Sequence, residues 1–414
     1  MKTKNSDFPV IDFPVVDLSD DASFAEGFPH DSFNWLRDNA PVFWHKPTEV
    51  TPDGEGFWVI SRYSDVTAIQ RDSVRFSSDK AGDRTGGGTG IKDERSAGVA
   101  LNMTDDPFHR RLRSLVNKGF TPKAVQELEG GLTKLIGELL DSVADQDSFD
   151  FVKKVAREVP LQTICNVLGV PLEKRSQLIE WVDLGLASTS SSILDKEYMI
   201  KIRNEAKTII ADKRLNPAKD ILSTIIQAEF EEDGTKLNDH ELLSFFTLLF
   251  PAGAETTRSA LGGTIKAFID FPEQFQLLKD DPSLMRSAVE EIIRWTTPSI
   301  YKRRTATEDV VLHGKTIKLG DKVTFWEMSA NRDERFFDKP FEFDITRWPN
   351  KHAGLGAGVH FCLGASLARL EISATLKELI KRFDGFELAG DPVWMPNNRL
   401  LGLRQMNIRT LSQS

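Results

Sequence analysis

Residues 354–364, Gly-Leu-Gly-Ala-Gly-Val-His-Phe-Cys-Leu-Gly, constrain this chain more than any other segment. One cysteine, Cys362, stands where a glycine-rich loop runs into a helical pattern reaching to Arg382. A helix N-terminus offers unsatisfied N–H donors and a partial positive charge, and both favour a thiolate over a thiol. Glycines let the backbone curl around the sulfur and let a flat ligand approach closely. The segment reads as a thiolate cradle; the alternative is a glycine-rich turn around a structural cysteine.

The rest of the chain must supply a scaffold for that loop. Helical periodicity covers residues 104–119, 122–145, 150–168, 171–187, 195–230, 239–270, 272–280, 283–296 and 362–382. Short strands are expected at 41–44 and 57–61, and a hairpin joining 310–319 to 322–325 around Gly320-Asp321. The fold class expected is mainly α with small β-sheets. No long linker, repeat or low-complexity tract divides the 414 residues, so one domain spanning 1–414 is expected. The polar segment 80–98, with Gly86-Gly87-Gly88, reads as a mobile loop within it.

The net charge of −9, from 53 basic and 62 acidic residues, speaks against nucleic acid as a partner. Two cysteines, Cys165 and Cys362, cannot form a disulfide framework and fit a reducing compartment. Cys165 lies in an apolar helical pattern and reads as a core residue. The first residues lack a basic segment followed by an apolar run, and no apolar stretch of about 18 residues or more occurs. A cytoplasmic protein without a transmembrane anchor is expected.

Three further constellations carry chemistry. Within the long helical stretch, Ala252-Gly253-Ala254-Glu255-Thr256-Thr257 follows Pro251. The small pair makes room beside the helix, the Thr256 hydroxyl can bond back to the preceding turn, and Glu255 is an acid able to relay protons. Glu291 and Arg294 are spaced to share a helix face. His109 and Arg113 are spaced to point the same way, and Arg304 follows in Lys302-Arg303-Arg304. Arg110, Arg111 and Arg303 read as surface residues. The five histidines at 30, 45, 240, 313 and 352 lack metal-like spacing and read as surface or packing residues.

The 354–364 segment resembles the haem-binding signature of the cytochrome P-450 family, Phe-Gly-x-Gly-x-His/Arg-x-Cys-x-Gly. Gly356, Gly358, His360, Cys362 and Gly364 match, while Leu355 replaces the usual Phe. The 252–257 segment resembles the family's oxygen-activation motif, and Glu291-x-x-Arg294 with Arg347 its structural triad. Residues 106–113 resemble a haem-carboxylate helix, and the four motifs occur in family order. The resemblance implies a mainly helical, single-domain cytochrome P-450 fold. It implies haem b with Cys362 on the iron, and His109, Arg113, Arg304 and His360 on the carboxylates, beside Gly356, Ala252 and Gly253. Thr256 and Glu255 would deliver protons.

The activity implied is hydroxylation of an apolar steroid- or terpenoid-like molecule by dioxygen. No flavin or iron–sulfur signature is present, so electrons would come from a ferredoxin with its reductase. Arg110, Arg111, Lys118, Arg332 and Lys351 are candidate docking residues for it. Substrate walls are expected at Leu248, Phe250, Ala252, Ile300, Leu400 and Leu401, and the 80–98 loop would cover the entrance, with Arg84, Lys92 and Arg95 in reach of a carboxylated ligand. A peroxide-driven peroxygenase and a non-catalytic haem sensor are the alternatives; the Glu255–Thr256 pair is the feature neither needs.

Overall fold

The computed structural model describes residues 15–94, 96–186 and 197–411. Arg95 therefore lies outside the described residues.

The long helix Asp239–Asp270 is the axis on which the other elements are hung. Its start is set locally: the Asn238 side chain accepts from the N–H groups of His240 and Glu241, and the Glu241 carboxylate accepts from the Asn238 N–H. Its end falls at Phe271, whose backbone is forced out of the helical region by the ring of Pro272. The helix passes through Pro251 without being divided.

The closest packing is against the helix Glu158–Val167. Gly253 sits in this crossing, where a Cβ would lie 3.0 Å from Ile164 Cδ1, so a larger residue would oblige that side chain to shift. Ala252 beside it is the exposed member of the small pair.

The helices Met285–Thr296 and Ala365–Arg382 pack on the other side, in a second apolar cluster that includes Ile265, Phe268, Ile292, Ile372 and Leu376. A five-stranded sheet stands at the edge, in the order Val42–His45, Phe57–Ile60, Lys322–Phe325, Lys302–Ala306, Phe76–Ser77. All neighbours are antiparallel except Phe57–Ile60 with Lys322–Phe325. Small sheets form elsewhere, including Gly385–Leu388 with Asn407–Leu411 and Phe149–Asp150.

Two expectations are corrected. The hairpin around Gly320-Asp321 does not form. Val310–Leu312 pairs with Lys315–Ile317 alone, and Lys322–Phe325 joins the large sheet. Lys322–Phe325 is buried throughout, so a central position with partners on both edges satisfies its backbone better than an exposed hairpin. The 80–98 loop is also not free. Arg303 Nη1 holds Asp93 at 2.6 Å, Arg399 Nη2 bonds Thr89 Oγ1 at 2.8 Å, and the Arg303 N–H donates to the Thr89 carbonyl at 2.8 Å.

Candidate haem site

Cys362 lies three residues before the helix Ala365–Arg382, and its carbonyl accepts the first N–H of that helix. The loop is closed by Cys362 N–H to the Leu355 carbonyl at 2.9 Å. Gly356 and Gly358 take φ of +72° and +70°, and a Cβ on Gly358 would come within 2.7 Å of the Gln70 carbonyl. The turn is therefore restricted to glycine by conformation and by space.

Burial pushes the Cys362 thiol up. The Gly364 N–H and the charges of Lys302, Arg113 and Arg369 pull it the other way. In the protein alone burial wins, contrary to the simple helix-terminus expectation. A bound metal cation reverses this, because a coordinating thiol is deprotonated outright.

Around this loop several polar side chains gather, and that of His109 lacks hydrogen-bond partners. His109 is buried, and neither ring nitrogen makes a hydrogen bond, although Nδ1 is 3.6 Å from Asp106. Its ring lies 4.2 Å, centre to centre, from that of His360, whose Nε2 meets Ser78 Oγ at 2.9 Å. Burial, aided by Arg304, His109 and Arg113, pushes His360 down to about 2, so it is a neutral N–H donor and not a cation. Arg113 bonds the Phe361 carbonyl at 2.7 Å and Asn117 at 3.0 Å. Arg304 is buried, and the one hydrogen bond shown for it runs to the Arg303 carbonyl. Burial lowers it to about 10.

Buried polar groups of this kind need partners. Two carboxylates beside His109, Arg113 and Arg304 would supply them, and a flat macrocycle would lie against the glycines next to Cys362. The residues present fit haem b.

Thr256, on the long helix, donates to the Ala252 carbonyl at 2.9 Å. Glu255 is buried, and its Oε2 is 3.2 Å from Arg258 Nη2. The sequence reading passed over two acids. Glu371 is buried in reach of the Thr257 and Thr163 hydroxyls and is pushed by burial up to about 8. Glu327 is also buried, bonded by Gln70 at 2.9 Å and Lys302 at 3.1 Å. A carboxylate within an otherwise apolar run signals such a group, but its partners are distant in sequence.

Glu291 and Arg294 are fully buried and joined by two bonds of 2.7 Å. Arg347 approaches the same carboxylate at 3.2 Å, and Asn350 at 2.9 Å. Of the expected substrate wall, Leu248 and Leu400 are part-exposed and Ala252 is exposed. Phe250 and Ile300 are fully buried in apolar clusters and Leu401 nearly so, which makes them core residues. Two basic residues are also misplaced by the sequence reading. Arg303 is fully buried on Asp93, and Arg332 is buried on the Arg294 and Trp295 carbonyls, so neither is a surface group.

The cytochrome P-450 family model matches residues 189–411. Cytochrome P-450 126 of Mycobacterium tuberculosis is 45% identical over 398 residues, 94% of this chain and 96% of that protein. A steroid C26-monooxygenase of Rhodococcus jostii is 35% identical over 408 residues, 95% of this chain and 84% of its own. Among solved structures, a Mycobacterium marinum cytochrome P-450 in complex with pseudoionone superimposes with a TM-score of 0.86. It is 32% identical and covers 97% of this chain and 100% of its own.

The chain belongs to the cytochrome P-450 family. It is a monooxygenase of the bacterial kind, with the family's mainly helical fold, and members of the family bind haem b through a cysteine thiolate. Among the described residues no helix is long and apolar enough to cross a membrane.

Proposed function

We propose that this enzyme hydroxylates a neutral, apolar steroid- or terpenoid-like molecule, with Cys362 as the haem ligand and a ferredoxin as electron donor. The observation that carries the reading is the glycine-restricted Cys362 loop with His109 and Arg304 buried and Arg113 part-buried around it, the two His109 ring nitrogens having no hydrogen-bond partner. Haem b, when bound, supplies the redox centre at which dioxygen is activated and one of its oxygens enters a C–H bond.

The chain's own residues do the rest. His109, Arg113 and Arg304 hold the carboxylates, and His360 adds an N–H. The Gly364 N–H and the nearby cations stabilise negative charge on the Cys362 sulfur. Thr256 donates its one O–H to the Ala252 carbonyl and so presents the Oγ1 lone pairs to accept a hydrogen bond from the proton-carrying group. Glu255 supplies protons, and Arg258 keeps that carboxylate in place between transfers. Leu248, Ala252 and Leu400 exclude water and favour an apolar ligand, by roughly 25 cal/mol per Å² of apolar surface covered. Arg110, Lys118 and Lys351 are exposed and suit an acidic ferredoxin.

The steroid-oxidising relative and the pseudoionone-bound neighbour support the substrate class. The test is spectroscopic. The reduced carbonyl complex should show a red-shifted Soret band, lost in Cys362→Ser. Survival of that band in the variant would remove Cys362 from the iron.

A further inference from the structure

The strand Lys302–Ala306 alternates, so Lys302 and Arg304 project from one face and Arg303 and Thr305 from the other. The second pair is spent on the 80–98 loop and on itself, through Arg303 with Asp93 and Thr305. The first pair lies toward the candidate haem site: Lys302 bonds Glu327, Glu327 accepts from Gln70, and the Gln70 carbonyl is the group that a Cβ on Gly358 would meet at 2.7 Å; the charge of Lys302 also bears on the Cys362 thiol and that of Arg304 on His360.

Lys302 is not a loose side chain. Its ammonium reaches Glu327 Oε2 at 3.1 Å and Ser299 Oγ at 2.5 Å. Glu327 is in turn fixed by Gln70 at 2.9 Å. An ammonium has three N–H donors, and the Lys302 side chain keeps 31% of its surface open while Glu327 keeps 3%. One donor is left beyond these two bonds.

The charges decide what that donor meets. Arg113, Arg304 and Lys302 are cations; Arg369, which also bears on Cys362, is neutralised by Glu290 at 2.6 Å and is not counted. Glu327 and Asp105 are the acids whose charges bear on Arg304. Three cations against two acids leave one positive charge for the two carboxylates of haem b. Without Lys302 none would remain, and a substrate carboxylate there would add a further anion to a site already short of cations.

Resting on the haem reading above, we propose that Lys302, braced by Glu327 and Ser299, is an additional holder of a haem carboxylate and a determinant of the iron's reduction potential. A cation beside the carboxylate offsets negative charge near the iron and favours the reduced state, whereas Glu327 acts in the opposite sense.

The experiment uses the full-length, haem-loaded protein and its Lys302→Met, Lys302→Arg and Glu327→Gln variants. Haem transfer to excess apomyoglobin and the substrate-free midpoint potential are measured for each. Lys302→Met should release haem about tenfold faster, the size expected for one lost charge-assisted hydrogen bond. Its potential should fall. Lys302→Arg should restore both values, and Glu327→Gln should raise the potential.

Unchanged haem release and potential in Lys302→Met would overturn the proposal. So would potentials that move the same way in Lys302→Met and Glu327→Gln, since structural damage has no sign. Selective loss of steroid carboxylic acid binding, with neutral steroid binding and haem release unchanged, would overturn it by assigning Lys302 to the substrate. A wild-type protein that bound haem without the thiolate spectrum would instead bring down the underlying reading.

Discussion

The Thr256 hydroxyl donates to the Ala252 carbonyl, which leaves its oxygen lone pairs free to accept. The proposed proton path needs that oxygen and nothing else from the side chain. Thr256→Ala should therefore bind ligands as before but form less product per NAD(P)H consumed, with peroxide or water taking the difference. Unchanged coupling in a reconstituted system would place the proton path elsewhere. Glu371 offers a second test at this scale. Its ordinary value is 4.5 and burial raises it to about 8. Between these values the folded state keeps a proton that the unfolded state has lost, so this group's contribution to stability falls as pH rises from about 4.5 to 8. Glu371→Gln should melt with the wild type near the lower end of that window and above it near pH 8. Parallel melting curves across the window would show that Glu371 is ionised in the fold.

The Glu291–Arg294 pair shows what a helix element contributes once packed. Spacing alone puts both residues on one face; the fold then buries both and brings Arg347, Asn350 and the Asp344 N–H to the same carboxylate. Arg294→Ala removes the fully buried partner of that carboxylate and leaves it to Arg347 at 3.2 Å, at a cost of up to about 3–5 kcal/mol, and should yield little haem-loaded protein. A normal yield and melting temperature would contradict this. Arg303 looks like its surface counterpart in sequence but is not. It is fully buried on Asp93 and carries the 80–98 loop, so Arg303→Ala should lower the melting temperature and speed proteolysis within that loop. Wild-type resistance to protease would mean that Arg84 and Arg399 suffice to hold it. The displaced hairpin has the same origin. Lys322–Phe325 pairs with a strand some 260 positions earlier, Trp58 opposite Val323, and no local pattern signals that partner.

At the scale of the whole molecule, the substrate class is set by surfaces that meet only when the chain is folded. Titration of the ferric, haem-loaded enzyme with neutral steroids and terpenoids should produce a low- to high-spin shift in its absorbance. A shift seen only with small polar or peptide-like compounds would contradict the proposed substrate. The sequence by itself determined the glycine-rich cysteine loop, the long helix that carries Glu255 and Thr256, and the order of the motifs. These rest on local chemistry: glycine conformations, helix spacing and end signals act over a few residues. Tertiary structure alone decided which basic residues are buried, that Phe250 and Ile300 pack fully buried in apolar clusters, and that Lys302 and Glu327 form a pair. Burial and ion pairing join residues hundreds of positions apart, so their energies exist only after the chain has closed on itself.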